Sequence, residues 1–183
     1  TKGKAGKALK DLAQEATYLA GIDVPDEARE YADAVVVGEA EGVWADLLAD
    51  LEAAWRDLRE SLRYAPGTTG VHTSATEALE AGSGVCQDFA HAAIAVLRCS
   101  GVPARYVSGY LHPKAEGAIG ETVSGESHAW IEAWDGDTWV AHDPTNGRAV
   151  GSDHVLVATG RDYGDVAPVK GVIAGGGASR LEA

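Results

Sequence analysis

The periodicity of this chain changes once, at Gly101-Val102-Pro103, and that change limits the folds open to it. Upstream, apolar residues recur at helical spacing; downstream they fall in short runs bounded by turn residues. Trp44, Leu47, Leu48, Leu51, Trp55, Leu58 and Leu62 keep one apolar stripe, while Asp46, Asp50, Glu52, Arg56, Arg59, Glu60 and Arg63 occupy the other faces. This is the pattern of a helix that buries one side and solvates the rest. Ala5, Ala8, Leu9, Leu12, Ala16 and Leu19 predict an earlier helix stopped by Gly21, and Pro25-Asp26-Glu27 opens another that ends near Gly38. A short helix is expected around Ala75 to Leu79, and a long one from Val85 to about Ser100, closed by Gly101 and Pro103. Strands are expected over 105–111, 127–134 and 138–142, with 154–159 and 169–174 as edge candidates and 112–126 as a polar loop. Helices first and antiparallel strands after them imply an α+β fold, read as one domain over 1–183. Residues 1–43 form its N-terminal helical segment and 175–183 a flexible glycine-rich tail.

Bulk chemistry narrows the partners. With 15 Lys+Arg against 28 Asp+Glu the formal charge is −13, which repels phosphate backbones and argues against nucleic acid. No apolar run nears the roughly 18 residues that span a bilayer, so no membrane partner is expected. If Cys86 and Cys99 share one helix they stand about 20 Å apart, too far to bridge. Two free thiols suit a reducing compartment, and the expectation is cytoplasmic. Thr1 opens a chain without Met, so a piece of a longer or processed protein is expected.

Cys86 lies in Ser83-Gly84-Val85-Cys86, where a loop turns into a helix. Unpaired amides and the helix dipole stabilise a thiolate at such a position, and the same N–H groups can bond an oxyanion. Gly84 removes a side chain where a substrate backbone would approach. By itself the feature fits a structural cysteine more often than a nucleophile.

The Asp135-Gly136 pair adds a constraint. If these two residues form the hairpin turn, Trp134 pairs with Asp137, and His128 falls directly opposite Asp143 on one face. If Gly136-Asp137 turns instead, His128 and Asp143 become diagonal neighbours on the same face. A carboxylate beside an imidazole fixes its tautomer and stabilises the imidazolium, the orienting role in a triad; an ordinary cross-strand ion pair is the plainer reading. Other histidines compete poorly. His142 points to the face opposite His128, and His91 lies about 140° around the helix from Cys86. His72, His112 and His154 fall in loops or at a strand end, with no carboxylate partner that sequence can place. Cys99 reads as core, and no His/Cys cluster has the spacing of a metal site, so no metal is expected.

Several blocks together resemble the bacterial transglutaminase-like family of cysteine-protease candidates. They are Gly84-Val85-Cys86-Gln87-Asp88-Phe89-Ala90, then Gly101-Val102-Pro103-Ala104-Arg105-Tyr106-Val107-Ser108-Gly109-Tyr110. Ser127-His128-Ala129-Trp130-Ile131-Glu132 and Asp143-Pro144-Thr145-Asn146-Gly147 follow in order, with Arg161-Asp162-Tyr163 and Val166-Ala167-Pro168-Val169 closing the similarity, which starts near Leu62. The resemblance implies a papain-like transglutaminase core, a nucleophile helix packed on an antiparallel sheet, and a catalytic set of Cys86, His128 and Asp143. It implies acyl transfer through a thioester, without a cofactor, on a peptide or protein substrate, with an amine as a second substrate in the transglutaminase variant. Gln87 replaces the Trp that follows the nucleophile in animal transglutaminases and papain, and nothing resembles a calcium site. Tyr64 matches a family position that can face the site and help hold the oxyanion; a packing aromatic is its plainer role. Hydrolysis of a peptide or isopeptide-like amide is the expected outcome, transamidation the alternative, and a non-catalytic binding module the reading from another class. The 112–126 loop is the expected specificity element.

Overall fold

The structure is a computed structural model, which describes residues 55–99, 101–113, 120, 122–123, 125–135 and 137–167. The helices expected over 1–43, most of the Trp44–Leu62 stripe, the strand expected at 169–174 and the tail lie outside these residues, as does part of the 112–126 loop. Residues 55–61 are helical and continue the stripe, with Leu58 and Leu62 buried.

Strand β1 (Arg63–Tyr64) runs parallel to β2 (Ser83–Gly84), a short pairing that the sequence pattern did not announce. Between them lies α1 (Ala75–Ala81). Its start follows from a capping box: the Ser74 hydroxyl accepts the Glu77 N–H, and the Glu77 carboxylate accepts the Ser74 N–H at 2.8 Å. Helix α2 (Cys86–Cys99) comes next. It ends where Gly101, at φ 78°, donates its N–H to the Arg98 carbonyl and Val102 donates to that of Leu97, the Schellman arrangement that satisfies orphan carbonyls.

The remaining strands are β3 (Ala104–Leu111), β4 (Glu126–Trp134), β5 (Trp139–Asp143), β6 (Arg148–Ala149) and β7 (His154–Gly160). They form one antiparallel sheet in the order β6-β5-β4-β3-β7. The fold is α+β, as the change of periodicity implied. Alternation along β4 sends Ala129 and Ile131 to one face, where Ala104 and Tyr106 of β3 join them under Ala90, Ala93, Ile94 and Leu97 of α2. Ile131 and Leu97 are wholly enclosed, so truncating either to Ala would cost about 2–5 kcal/mol. His142 points to this face too, opposite His128, and stacks on Trp55 at 5.3 Å.

The other face of β4 carries His128 and Trp130, and Trp130 is 1% exposed. Gly109 makes that burial possible. A Cβ there would come within 2.5 Å of the Trp130 ring and 2.2 Å of the Val155 carbonyl oxygen. The β3–β7 ladder shifts register between Ser108 and Gly109, a bulge at the point of closest approach.

The β4–β5 hairpin takes the second of the two registers. Trp134 pairs with Trp139 and Ile131 with His142, and the Asp135 N–H donates to the Thr138 carbonyl at 3.1 Å. Asp135 therefore opens the turn rather than sitting inside it. Its carboxylate accepts the N–H groups of Asp137 and Thr138 at 2.9 and 2.8 Å, the local bonding that favours Asp at the first turn position. Among the described residues no helix is long and apolar enough to cross a membrane.

Candidate active site

Cys86 is the first residue of α2 and is partly exposed. The turn into the helix is held by Asp88, whose Oδ2 accepts the Val85 N–H at 2.7 Å and the Thr69 hydroxyl at 2.6 Å. Helical geometry leaves the Cys86 N–H without an intrahelical acceptor. Gly84 has a reason other than the substrate approach expected for it: a Cβ would meet the Asp88 side chain at 2.7 Å, so the glycine makes room for the carboxylate that caps the helix. Gln87 donates from Nε2 to the Val71 carbonyl. With Thr69 this ties to the helix a surface cleft of about 580 Å³ lined by residues 68–73, Glu77 and Ala81.

His128 donates from Nε2 to a buried carboxylate. Its Nε2 lies 2.8 Å from Asp143 Oδ2, and Cys86 also acts on the ring, raising its pKa. Since Nε2 faces the carboxylate, Nδ1 is the nitrogen left for the thiol. Asp143, the last residue of β5, is wholly enclosed. A buried carboxylate needs donors for both oxygens. Oδ1 accepts the backbone N–H groups of Thr145 and Asn146 at 3.0 and 3.1 Å, and Oδ2 accepts the Asn146 amide at 2.7 Å as well as His128.

The titration behaviour follows from these contacts. Burial by itself would lower the His128 pKa, but the hydrogen bond to Asp143, the influence of Cys86 and the Asp143 charge outweigh it and lift the group to about 9. Burial would raise Asp143; the bonds from His128 and Asn146 prevail and hold it well below the usual carboxylate range.

His154 is the residue that sequence reasoning set aside. At the start of β7, with its side chain wholly enclosed, it places Nε2 3.1 Å from Asp143 Oδ2. Its ring meets the Trp130 ring edge-on at 5.2 Å and lies 5.9 Å from that of His128. Nothing in its sequence neighbourhood signals this, because the contact joins the end of β5 to the start of β7, three places away in the sheet order. Candidate ligand atoms of His128, Asp143 and His154 lie within 4.8 Å of one another, so folding creates a grouping that sequence spacing did not contain. Both imidazoles already bond the same carboxylate oxygen, which the Asn146 amide shares, so the cluster is satisfied as a hydrogen-bond array.

Two further expectations need correction. Cys99 is exposed and is not core: it is the last residue of α2, beyond Leu97, which packs inward. Tyr64 is 50% exposed, too open for a packing aromatic. Partial burial, then Cys86, then Glu126 raise its phenol pKa. His91 is occupied elsewhere: it accepts the Tyr163 N–H and lies against the Tyr106 ring.

The profile of the transglutaminase-like superfamily matches residues 30–144. An uncharacterized protein of Mycobacterium leprae is 55% identical over 130 residues, covering 71% of this chain and 46% of that protein. One from Mycobacterium tuberculosis is 37% identical over 172 residues, covering 88% and 52%. The chain thus spans about half the length of the curated relatives it matches. A protein-glutamine gamma-glutamyltransferase of Pseudomonas aeruginosa is 38% identical over 68 residues, 34% of this chain and 10% of that protein. Among solved structures, a cysteine-protease candidate from Cytophaga hutchinsonii superposes with a TM-score of 0.62 at 25% identity, covering 84% of this chain and 54% of that one.

Proposed function

The chain belongs to the transglutaminase-like superfamily, and from that premise we propose that it is a cysteine-dependent acyl-transfer enzyme with Cys86, His128 and Asp143 as its catalytic set. One observation carries the reading: the His128 imidazole bonds a buried carboxylate at 2.8 Å and is acted on by the Cys86 thiol. A scaffold that had lost catalysis would have no need to keep a buried ion pair behind a partly exposed thiol.

In the proposed reaction the Cys86 sulfur attacks an amide carbonyl carbon, and its proton resides on His128. The tetrahedral oxyanion takes the Cys86 N–H, with the Tyr64 hydroxyl as a candidate second donor. Collapse breaks the C–N bond, His128 protonates the departing amine, and a thioester remains on Cys86. A water molecule, deprotonated by His128, attacks the thioester; the C–S bond breaks and the product acid leaves. Asp143 keeps Nε2 of His128 engaged, so that Nδ1 alone exchanges protons with sulfur and substrate.

Hydrolysis of a peptide or isopeptide-like amide is the preferred outcome, because water needs no second binding site. Transamidation keeps the same first half and replaces water with a primary amine. The short match to a protein-glutamine gamma-glutamyltransferase supports that variant. A glutamine-containing peptide library, offered with and without excess primary amine and read by mass spectrometry, tests both. Hydrolysed products are expected to dominate; amine adducts dominating would reverse the preference. No turnover with an intact Cys86 would favour a binding module.

A further inference from the structure

Asp143 has one partner that a three-residue reading leaves without a role. His154 sits behind the carboxylate, wholly enclosed, with each ring nitrogen facing an acid: Nε2 lies 3.1 Å from Asp143 Oδ2, and Nδ1 lies 2.9 Å from Asp153 Oδ1. An ionised carboxylate offers only lone pairs, so an attractive contact requires that Nε2 carry a proton towards Asp143. Nδ1 also receives the Gly151 N–H at 3.2 Å. That nitrogen therefore meets a donor and an acceptor.

The bracing extends one residue further. The Arg148 guanidinium grips both oxygens of Asp153, and Arg148 is the β6 ladder partner of Asp143 itself. A series of contacts thus runs from Asp143 to its ladder partner Arg148, on to Asp153, and back to Asp143 through His154. Burial of an imidazole with both nitrogens directed at charged groups is costly unless those contacts are made. His154 lies beyond the 30–144 stretch that the family profile covers.

We propose that His154 is a positioning residue for acyl transfer: by donating Nε2–H to Asp143 Oδ2 it fixes the carboxylate plane against His128. Asp153, held by Arg148, sets the rotation of the His154 ring, and the edge of Trp130 limits its tilt. The inference rests on the catalytic reading above. It adds that the orienting group is a braced carboxylate, with the brace supplied by the chain's return through β7.

The test compares His154→Phe, which keeps a ring and removes the donor, with His154→Gln, which keeps an N–H donor. Acylation of Cys86 by p-nitrophenyl acetate is followed as a burst of p-nitrophenolate, and circular dichroism checks the fold. His154→Phe is expected to acylate about tenfold to a hundredfold more slowly at an unchanged half-saturating ester concentration. His154→Gln is expected to recover most of the rate. A second readout needs no turnover: the low-field proton resonance of the His128–Asp143 hydrogen bond, identified by its loss in His128→Ala, should broaden in His154→Phe and sharpen again in His154→Gln. Parental rates and resonances in both variants, or equal impairment of both, would overturn the proposal. If the parent acylates no faster than Cys86→Ala, the catalytic reading fails, and the resonance still decides whether His154 orders the pair. Should His154→Phe not fold, Asp153→Asn tests the same brace from outside and is expected to slow acylation in the same direction; an unchanged rate there would count against it.

Discussion

His128 and Asp143 are joined by a 2.8 Å hydrogen bond although neither is the other's ladder partner. The last β4–β5 pair is Ile131 with His142, so Asp143 stands diagonally from His128 across one face of the sheet. A diagonal separation exceeds that of a direct pair, and side chains as long as His and Asp reach across it. The diagonal also leaves Oδ2 accessible to Asn146 and His154, which a directly opposed pair would crowd.

Replacing Asp143 by Asn keeps the volume and removes the charge. The His128 pKa should fall from about 9 towards its ordinary 6.5, and Cys86 acylation should slow by about 10²–10⁴-fold. NMR titration of the His128 ring and the p-nitrophenolate burst measure the two effects. A pKa that stays near 9 would mean that Asp143 is not what holds the proton.

The same pair makes stability depend on pH. His128 is raised in the folded state, so its contribution is fully present below about pH 6.5 and is lost as pH rises through about 9. Asp143 is depressed, so its contribution is present above about pH 3.9 and is lost as pH falls below that value. Thermal melts should show a plateau between about pH 4 and 6.5 and a decline towards pH 9. His128→Ala should flatten that alkaline decline. An alkaline slope that survives in the variant would assign it to other groups.

Alkylation by iodoacetamide separates access from activation. Cys99 is exposed and Cys86 only partly so, which favours Cys99 on access alone. Faster labelling of Cys86 at neutral pH is nevertheless expected, and the preference should vanish in His128→Ala. Peptide mapping of partly labelled protein gives both rates from one sample. Cys99 reacting first in the parent would argue against an activated sulfur.

Gly109 links packing to the site. Gly109→Ala drives a methyl group into the Trp130 ring and the Val155 carbonyl, and Trp130 in turn touches the rings of both His128 and His154. A stability loss of about 1–3 kcal/mol is expected in urea titrations, with slower acylation in the protein that remains folded. Unchanged stability would mean that the bulge yields without cost.

Much of this was legible in the chain. The shift from helical to alternating periodicity at Gly101-Val102-Pro103 gives the α+β division, because apolar spacing is a local record of which face each element buries. Capping chemistry places the start of α1, and Gly101 the end of α2, for the same local reason. The blocks around Cys86, His128 and Asp143 mark the candidate set. Parity also holds: any two-residue turn after β4 puts His128 and Asp143 on one face. The choice between the two registers turned on whether the Asp135 carboxylate would take the N–H groups ahead of it, a bond of a few ångströms that propensity alone does not rank.

Tertiary structure alone decided what lies behind Asp143. His154 follows it by eleven residues and belongs to a strand at the far edge of the sheet order, so no helical or strand period connects the two. The missing side chain at Gly109 lets the Trp130 ring and the Val155 carbonyl of β7 approach β3 closely. The exposure of Cys99 and of Tyr64 was decided in the same way. Sequence determines which face of its own element a residue occupies, because backbone geometry is periodic. Which elements meet across the sheet depends on twist and packing summed over many residues, and that sum is settled only in three dimensions.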